Sequence, residues 1–289
     1  MTVGIIEHVE PVHRPLPRIS VAAGLRHAFY GLISLLSVGP IVWVVLLSFR
    51  TKRDIALNPF GLPTTFNFDN YAAVFGQPDI GVFLLNSILT VAGALVIVLT
   101  CSALAAYAIA RVDFPGRQAL FVMFLIGDSI PLIVIIIPLF IVVNRLGLTN
   151  SLFAMIFPYA AMNMGVSVYI LRGFFRSINS DMEDAARLDN CNVLQTLWYV
   201  ILPIIRPGLI VVAIINFISY WNEYFLATVL ASSQRYFTLP AGLAATLINK
   251  HETNWPVMSA AVVMTLVPIF IIFGLTQDKI VRGWSPSVR

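Results

Sequence analysis

The chain has 289 residues, 58% of them hydrophobic and only 11% charged, with a mean hydropathy of +0.87. That composition excludes a soluble globular domain and fits a polytopic membrane protein, all-α in class. A net charge of +4 does not argue for nucleic acid, because the basic residues are scattered at the ends of apolar runs, where they act as topology determinants.

Residues 1–26 are proline-rich and polar and read as a cytoplasmic tail. An uncleaved anchor helix follows, since the first apolar run is long and no small-residue cleavage pattern comes after it. Six apolar segments approach the roughly 20 residues that a bilayer requires: 27–49, 83–110, 119–144, 151–171, 207–230 and 258–277. An even number of crossings puts both termini on one side. With the termini inside, the inner segments carry twelve Lys and Arg residues and the outer loops six, which points both termini to the cytoplasm. Residues 27–283 form one permease-like domain on this reading, and 284–289 a short cytoplasmic tail. Cys101 falls inside the second span and Cys191 in an inner loop, so neither meets an oxidising compartment and no disulfide is expected.

The first outer loop, 50–82, contains Pro59, Gly61 and Pro63 as breakers. A short surface helix over 66–75 comes next, with Asn67 or Asp69 as its cap and its aromatic rings at the membrane interface. In the second span Ser102, Ala106 and Ala110 recur every four residues, a small-residue stripe that admits a close neighbouring helix. The third span holds Pro131 and Pro138, which free backbone carbonyls and kink a helix. It also holds Asp128, a carboxylate too costly at that depth unless it faces protein or water. Asp128 therefore either lines a path or pairs with a partner subunit.

Residues 177–208 are the long polar interruption of the second half. Ser180 with Glu183, and Asn192 with Gln195, have the spacing of capping boxes. Helices are expected from Ser180 to about Asp189 and from Asn192 to Leu202, just before Pro203. The first is too short and too charged to enter a bilayer and should lie in the water beneath it. In the fifth span Tyr220, Trp221, Asn222 and Glu223 lie toward the outer end, roughly 24 Å up the helix from Pro207 at 1.5 Å per residue. Aromatic faces beside amide and carboxylate acceptors suit a ligand covered in hydroxyls. An interfacial aromatic belt with a snorkelling Glu223 would look the same.

The 177–208 loop resembles the EAA loop of ABC-importer permeases. The family pattern is Glu-Ala-Ala, three residues, Gly, nine residues, Ile, one residue, Leu-Pro. It falls here on Asp184, Ala185 and Ala186, then Asn190, Val200, Leu202 and Pro203, with every spacing kept. The acid is Asp184 with Glu183 beside it, and Asn190 stands for the glycine, as Asn can where φ is positive. Further stretches resemble sugar-importer permeases: Phe68 to Tyr71, Asn86 with Ser87, Arg111 to Arg117, Pro131 with Ile136 to Phe140, Gly147 with Leu148, Trp221 to Glu223, and Phe237 to Leu243. The end of the chain, from Trp284 to Arg289, departs from the family's usual tail.

The resemblance implies an ABC type I importer permease fold with short cytoplasmic coupling helices. Specifically, the chain is similar to the second, six-span subunit of maltose-type carbohydrate importers in the bacterial inner membrane. It implies half of a translocation path for a sugar, an oligosaccharide in that family's range, coupled to an ATPase through Glu183, Asp184, Ala185, Ala186, Leu188, Asp189, Asn190 and Pro203. Implied partners are a homologous permease forming a heterodimer, two ATPase subunits that bind ATP and Mg, an extracytoplasmic solute-binding protein, and lipid.

The residues themselves argue against an enzyme. No Lys follows a G-x-x-x-x-G, so no phosphate-binding loop is present. His8, His13, His27 and His251 lack metal-ligand spacing, and the ionisable residues within the spans, Asp128 and Glu223, fall on different helices. A secondary transporter or facilitator uncoupled from any ATPase is the alternative, and such a carrier has no reason to keep the 177–208 loop in register.

Overall fold

The computed structural model describes residues 21–149, 151–247 and 254–284. Most of the N-terminal tail, residues 285–289 and the topology charges Arg14, Arg18, Lys250 and Arg289 lie outside the described residues. Helices and connecting turns make up what is described, and no strand occurs among those residues.

In chain order the helices are α1 (Val21–Ser48), α2 (Lys52–Leu57), α3 (Asp69–Phe75), α4 (Ile80–Arg111), α5 (Arg117–Ser129), α6 (Leu132–Arg145), α7 (Phe153–Met162) and α8 (Met164–Ser177). They continue as α9 (Asp181–Leu188), α10 (Val193–Ile204), α11 (Arg206–Asn222), α12 (Phe225–Leu230), α13 (Leu239–Leu247) and α14 (Trp255–Trp284). Three uninterrupted stretches are long and apolar enough to cross a membrane: Gly24–Ser48, Ile80–Arg111 and Trp255–Gln277. The expected count of six is reached when each of three bent pairs serves as one crossing: α5 with α6, α7 with α8, and α10 with α11.

Two of those bends break spans that were expected to be continuous, whereas the 78° bend between α10 and α11 falls at the boundary already expected between the loop helix and the fifth span. Residues 119–144 do not form a single helix; α5 and α6 meet at 100°. Pro131 has no N–H to continue the ladder, and Ile130 before it is forced into an extended conformation with ψ 121°. Asn163 interrupts the fourth span, and α7 and α8 meet at 48°. The fifth span also stops short of 230. Glu223 turns extended with ψ 122°, and α12 restarts at Phe225.

In the outer loop the expected surface helix is α3, which starts only at Asp69. Its N-cap is Phe68, with no side-chain cap, and the Asn67 side-chain oxygen accepts from the Asp69 N–H at 2.7 Å in the turn before it. Helix α2 was not anticipated. Its signal is the Thr51 and Asp54 capping box, in which each side chain accepts from the other's backbone N–H.

Two apolar cores stack along the molecule. One gathers Phe83, Val91, Tyr159, Tyr220, Trp221 and Leu226. The other, toward the 177–208 loop, gathers Ala106, Tyr107, Leu171, Phe175, Leu197 and Ile201. The small-residue stripe performs as expected: Ser102 and Ala106 are completely buried where α4 lies against α8.

Candidate functional site: the 177–208 loop and two intramembrane carboxylates

The loop is built around α9. Three acids, Asp181, Glu183 and Asp184, occupy its first turn, where the positive end of the helix dipole favours them. The expected Ser180 and Glu183 capping box does not form. Ser180 already has helical angles, φ −60° and ψ −27°, and its side chain caps nothing. Asn179 instead accepts from the Asp181 N–H at 3.2 Å.

Glu183 is drawn the other way. It is buried, and its carboxylate faces Nε of Arg111 at 3.3 Å, an ion pair rather than an aligned hydrogen bond. Arg111 ends α4, and its guanidinium also donates to the Ile178 carbonyl. Ala186 is buried on the same side. Asp184, Ala185, Leu188, Asp189 and Asn190 are exposed on the other, and Leu188 is 85% accessible. Of the eight residues singled out in the sequence, the two that face inward, Glu183 and Ala186, fasten α9 to the membrane helices. Asp184 is held loosely by Arg187 at 3.2 Å, a solvent-exposed pair of little energetic weight.

Asn190 has φ +59°, and among the described residues no other non-glycine has a positive φ. It completes a Schellman turn: the Cys191 N–H bonds the Ala186 carbonyl and the Asn190 N–H bonds the Arg187 carbonyl, each at 3.0 Å. The substitution of Asn for Gly is therefore accommodated as expected.

The Asn192 and Gln195 capping box forms, at 2.8 and 2.9 Å. Pro203 does not end the helix after Leu202. Residues Thr196–Ile201 widen into a π-helix, in which the Leu202 N–H reaches the Leu197 carbonyl five residues back. The wider turn makes room for the proline ring, and the helix continues to Ile204 before a 78° bend. Val193, Leu194, Trp198 and Tyr199 remain exposed along it, an apolar surface next to Leu188 in the chain.

The two intramembrane acids share one structural device. Broken helices leave their first N–H groups without intrahelical partners, and lipid offers none. Asp128, near the end of α5, accepts from the Gly165 N–H at 3.2 Å and from the Val166 N–H, which open α8. Glu223, in the break after α11, accepts from the Leu226 N–H at 2.9 Å and the Ala227 N–H at 3.3 Å, which open α12. Each carboxylate is thus offset by helix N-terminal charge as well as by hydrogen bonds.

Glu223 takes a further bond from Tyr159, whose ring stacks on Tyr220 with centroids 5.6 Å apart. Tyr220 and Trp221 are buried in the core, and the Trp221 Nε1 donates to the Thr265 carbonyl at 2.9 Å. Both rings pack inside the chain. Asn222 is exposed, with its amide nitrogen turned back to the Ile218 carbonyl. Asp128 borders two hollows: one of about 140 Å³ in the crook of the bend, near Ile130, Pro158 and Leu226, and one of about 430 Å³ bounded by Met123, Phe124 and Met164.

Arg111, Tyr159 and Gly165 were not visible as site residues. Arg111 read as a topology charge and as the start of the Arg111 to Arg117 resemblance, with no partner attached, and Tyr159 sat in an unbroken apolar run. The turn at Asn163 that exposes the Gly165 amide left no turn signal stronger than that one Asn.

Several known proteins are similar to the chain. Over 264 residues it is 34% identical to the diacetylchitobiose uptake system permease protein NgcG of Streptomyces coelicolor, covering 91% of this chain and 87% of that protein. It is 31% identical over 263 residues to the trehalose transport system permease protein SugB of Mycobacterium tuberculosis, covering 89% and 96%. Its fold matches a chain from the crystal structure of a bacterial ABC transporter that imports the acidic polysaccharide alginate, with a TM-score of 0.78 at 23% identity over 92% of this chain and 98% of that one. Residues 98–285, which take in the 177–208 loop and both carboxylates, match the family described as binding-protein-dependent transport system inner membrane component. The chain belongs to that family of transport permeases and resides in a membrane.

Proposed function

We propose that the chain is the permease subunit of an ATP-driven importer for a sugar, forming half of the translocation path. The family and the saccharide-named relatives support this reading. The observation that carries it is the two-sided build of α9, with Glu183 and Ala186 fixed inward and Asp184, Ala185 and Leu188 presented outward. A short acidic helix held rigidly from behind is suited to receive a basic groove on an ATPase. Leu188, Asp189, Asn190 and, on α10, Pro203 are exposed as well.

On this reading both termini are cytoplasmic, 27–283 form the transmembrane domain, and the 1–26 and 284–289 tails flank it. The remaining partners are a homologous permease in a heterodimer, two ATPase subunits binding ATP and Mg, and an extracytoplasmic solute-binding protein. ATP closes the ATPase pair, the two loops are drawn with it, and the spans rock so that the path opens outward. Asp128 and Asn222 offer acceptors to a hydroxylated solute. Glu223 shapes the wall at the break, and Tyr220 and Trp221 pack behind it. No Lys or Arg stands deep in the spans to select an anion, which favours a neutral saccharide.

The test is to purify the complex from membranes, identify the co-purifying chains, and screen saccharides with the binding protein for stimulated ATP hydrolysis. Co-purification of an ATPase and stimulation by a saccharide are expected. Solute movement by this chain alone in vesicles would overturn the reading.

A further inference from the structure

We propose that α4 is the rod that carries displacement of the cytoplasmic loop to the outer surface, with Arg111 as its lower coupling and Asn86 with Ser87 as its upper one. The inference rests on the reading that an ATPase docks on α9.

At the lower end, Arg111 closes α4 and binds the loop at two points. Its Nε faces Glu183 of α9 at 3.3 Å, and its guanidinium donates to the carbonyl of Ile178, just ahead of α9. Both charges are largely shielded, with 15% and 9% of their side chains accessible, so the pair is screened less than a surface bridge and removing either partner strands a buried charge. Ala186 and the Tyr107 and Phe175 rings, 5.5 Å apart, lie buried in the same region. A force on the outer face of α9 therefore reaches α4 through a charged strut and not through solvent.

At the upper end, the Asn86 amide donates to the carbonyls of Arg235 at 2.8 Å and Phe237 at 3.0 Å. The Ser87 hydroxyl accepts from the Leu239 N–H at 2.7 Å, which opens α13. Phe83 lies so close beneath Gly242 that a Cβ there would come within 2.2 Å of the ring. The outer segment 235–242 is thus fastened to α4 by polar bonds and by contact. The sequence motifs Asn86 with Ser87 and Phe237 to Leu243, far apart in the chain, meet here.

Between these ends α4 runs without a break or a proline, over roughly 37 Å from Asn86 to Arg111 at 1.5 Å per residue. Its neighbours α5 with α6, α7 with α8 and α10 with α11 are bent by 100°, 48° and 78°. A bent pair absorbs displacement at its hinge, whereas a continuous helix passes it on. Arg111 and Asn86 are positioning residues in this account, and neither needs to touch solute.

The experiment uses the complete complex in vesicles, with import and ATP hydrolysis measured together. Arg111→Ala is expected to raise the ATP hydrolysed per solute imported by roughly tenfold, within the range typical of coupling between sites, while the ATPase still co-purifies. Asn86→Ala, at the far end, is expected to give the same change, and Arg111→Lys, which keeps a cation for Glu183, to restore most of it. An unchanged ratio in docked complexes of Arg111→Ala and Asn86→Ala overturns the rod, as does a loss of import and hydrolysis in equal proportion. Should Arg111→Ala not assemble, the ratio in Asn86→Ala decides. A wild-type complex that holds no ATPase defeats the docking reading instead.

Discussion

The hydroxyl of Tyr159 donates to Oε2 of Glu223 at 2.7 Å, while the same carboxylate holds the first amides of α12. Replacing Glu223 by Ala leaves the Leu226 and Ala227 amides unsatisfied and the Tyr159 hydroxyl only its longer 3.4 Å bond to the backbone carbonyl of residue 223, which costs about 3 kcal/mol. Tyr159→Phe removes one bond only and should cost about 1–2 kcal/mol. Thermal unfolding of the purified protein should rank wild type, then Tyr159→Phe, then Glu223→Ala. Glu223→Ala should also lower solute import with the ATPase still bound; a Glu223→Ala protein as stable as wild type would remove the capping role.

Gly165 presents its amide to Asp128 because nothing projects from its Cα. A Cβ there would stand 2.2 Å from the Phe124 carbonyl oxygen and 2.8 Å from Asp128 Cγ. Gly165→Ala must push α8 away from α5 and should destabilise by about 1–3 kcal/mol, the scale of overpacking. Asp128→Asn keeps one acceptor and loses the charge facing the α8 N-terminus, so its loss should be smaller. Comparing the two unfolding midpoints checks the order.

Asp184 is exposed, and its ion pair with Arg187 and its place in the first turn of α9 are each worth little in water, so Asp184→Lys should change stability by no more than about 1–2 kcal/mol. Its effect should fall on the ATPase, which is expected to dissociate while the membrane subunits remain together. Affinity purification on a tagged permease, followed by gel analysis, reads this directly, and wild-type import by the mutant would count against docking at α9.

Asn190 holds a left-handed conformation that a β-branched residue enters at a cost of about 1–2 kcal/mol. Asn190→Gly should be neutral or mildly favourable for coupling, and Asn190→Val should loosen the turn after α9. Protease cleavage within 177–192 in membrane vesicles should rise for Val and not for Gly.

The sequence carried the local chemistry well where the signal is local. Asn190 declared its positive φ by standing where a glycine belongs, and Asn192 with Gln195 declared a cap that forms as spaced. Ser180 with Glu183 had the same spacing and failed, because Arg111, 72 positions away in the chain by the difference of the two numbers, offers Glu183 an opposite charge that a backbone N–H cannot match. The spans were legible as apolar runs, but their bends were not. Hydropathy is blind to direction, and only Pro131 gave warning of the 100° turn. Tyr220 and Trp221 read as wall residues because aromatic rings at an outer membrane edge look alike whether they face a solute, lipid or a neighbouring helix. Helix packing decides that, and here it places both inside.

Helix α1 stands apart from this economy of contacts. Along its apolar stretch only 6% of the residues are buried within the chain, against 39% for α4, although it packs along α14. The rest of its surface is therefore met from outside the polypeptide, and extraction into detergent exchanges those surroundings. Sensitivity to micelle type should begin at this helix, and native lipid retained during purification should protect it first.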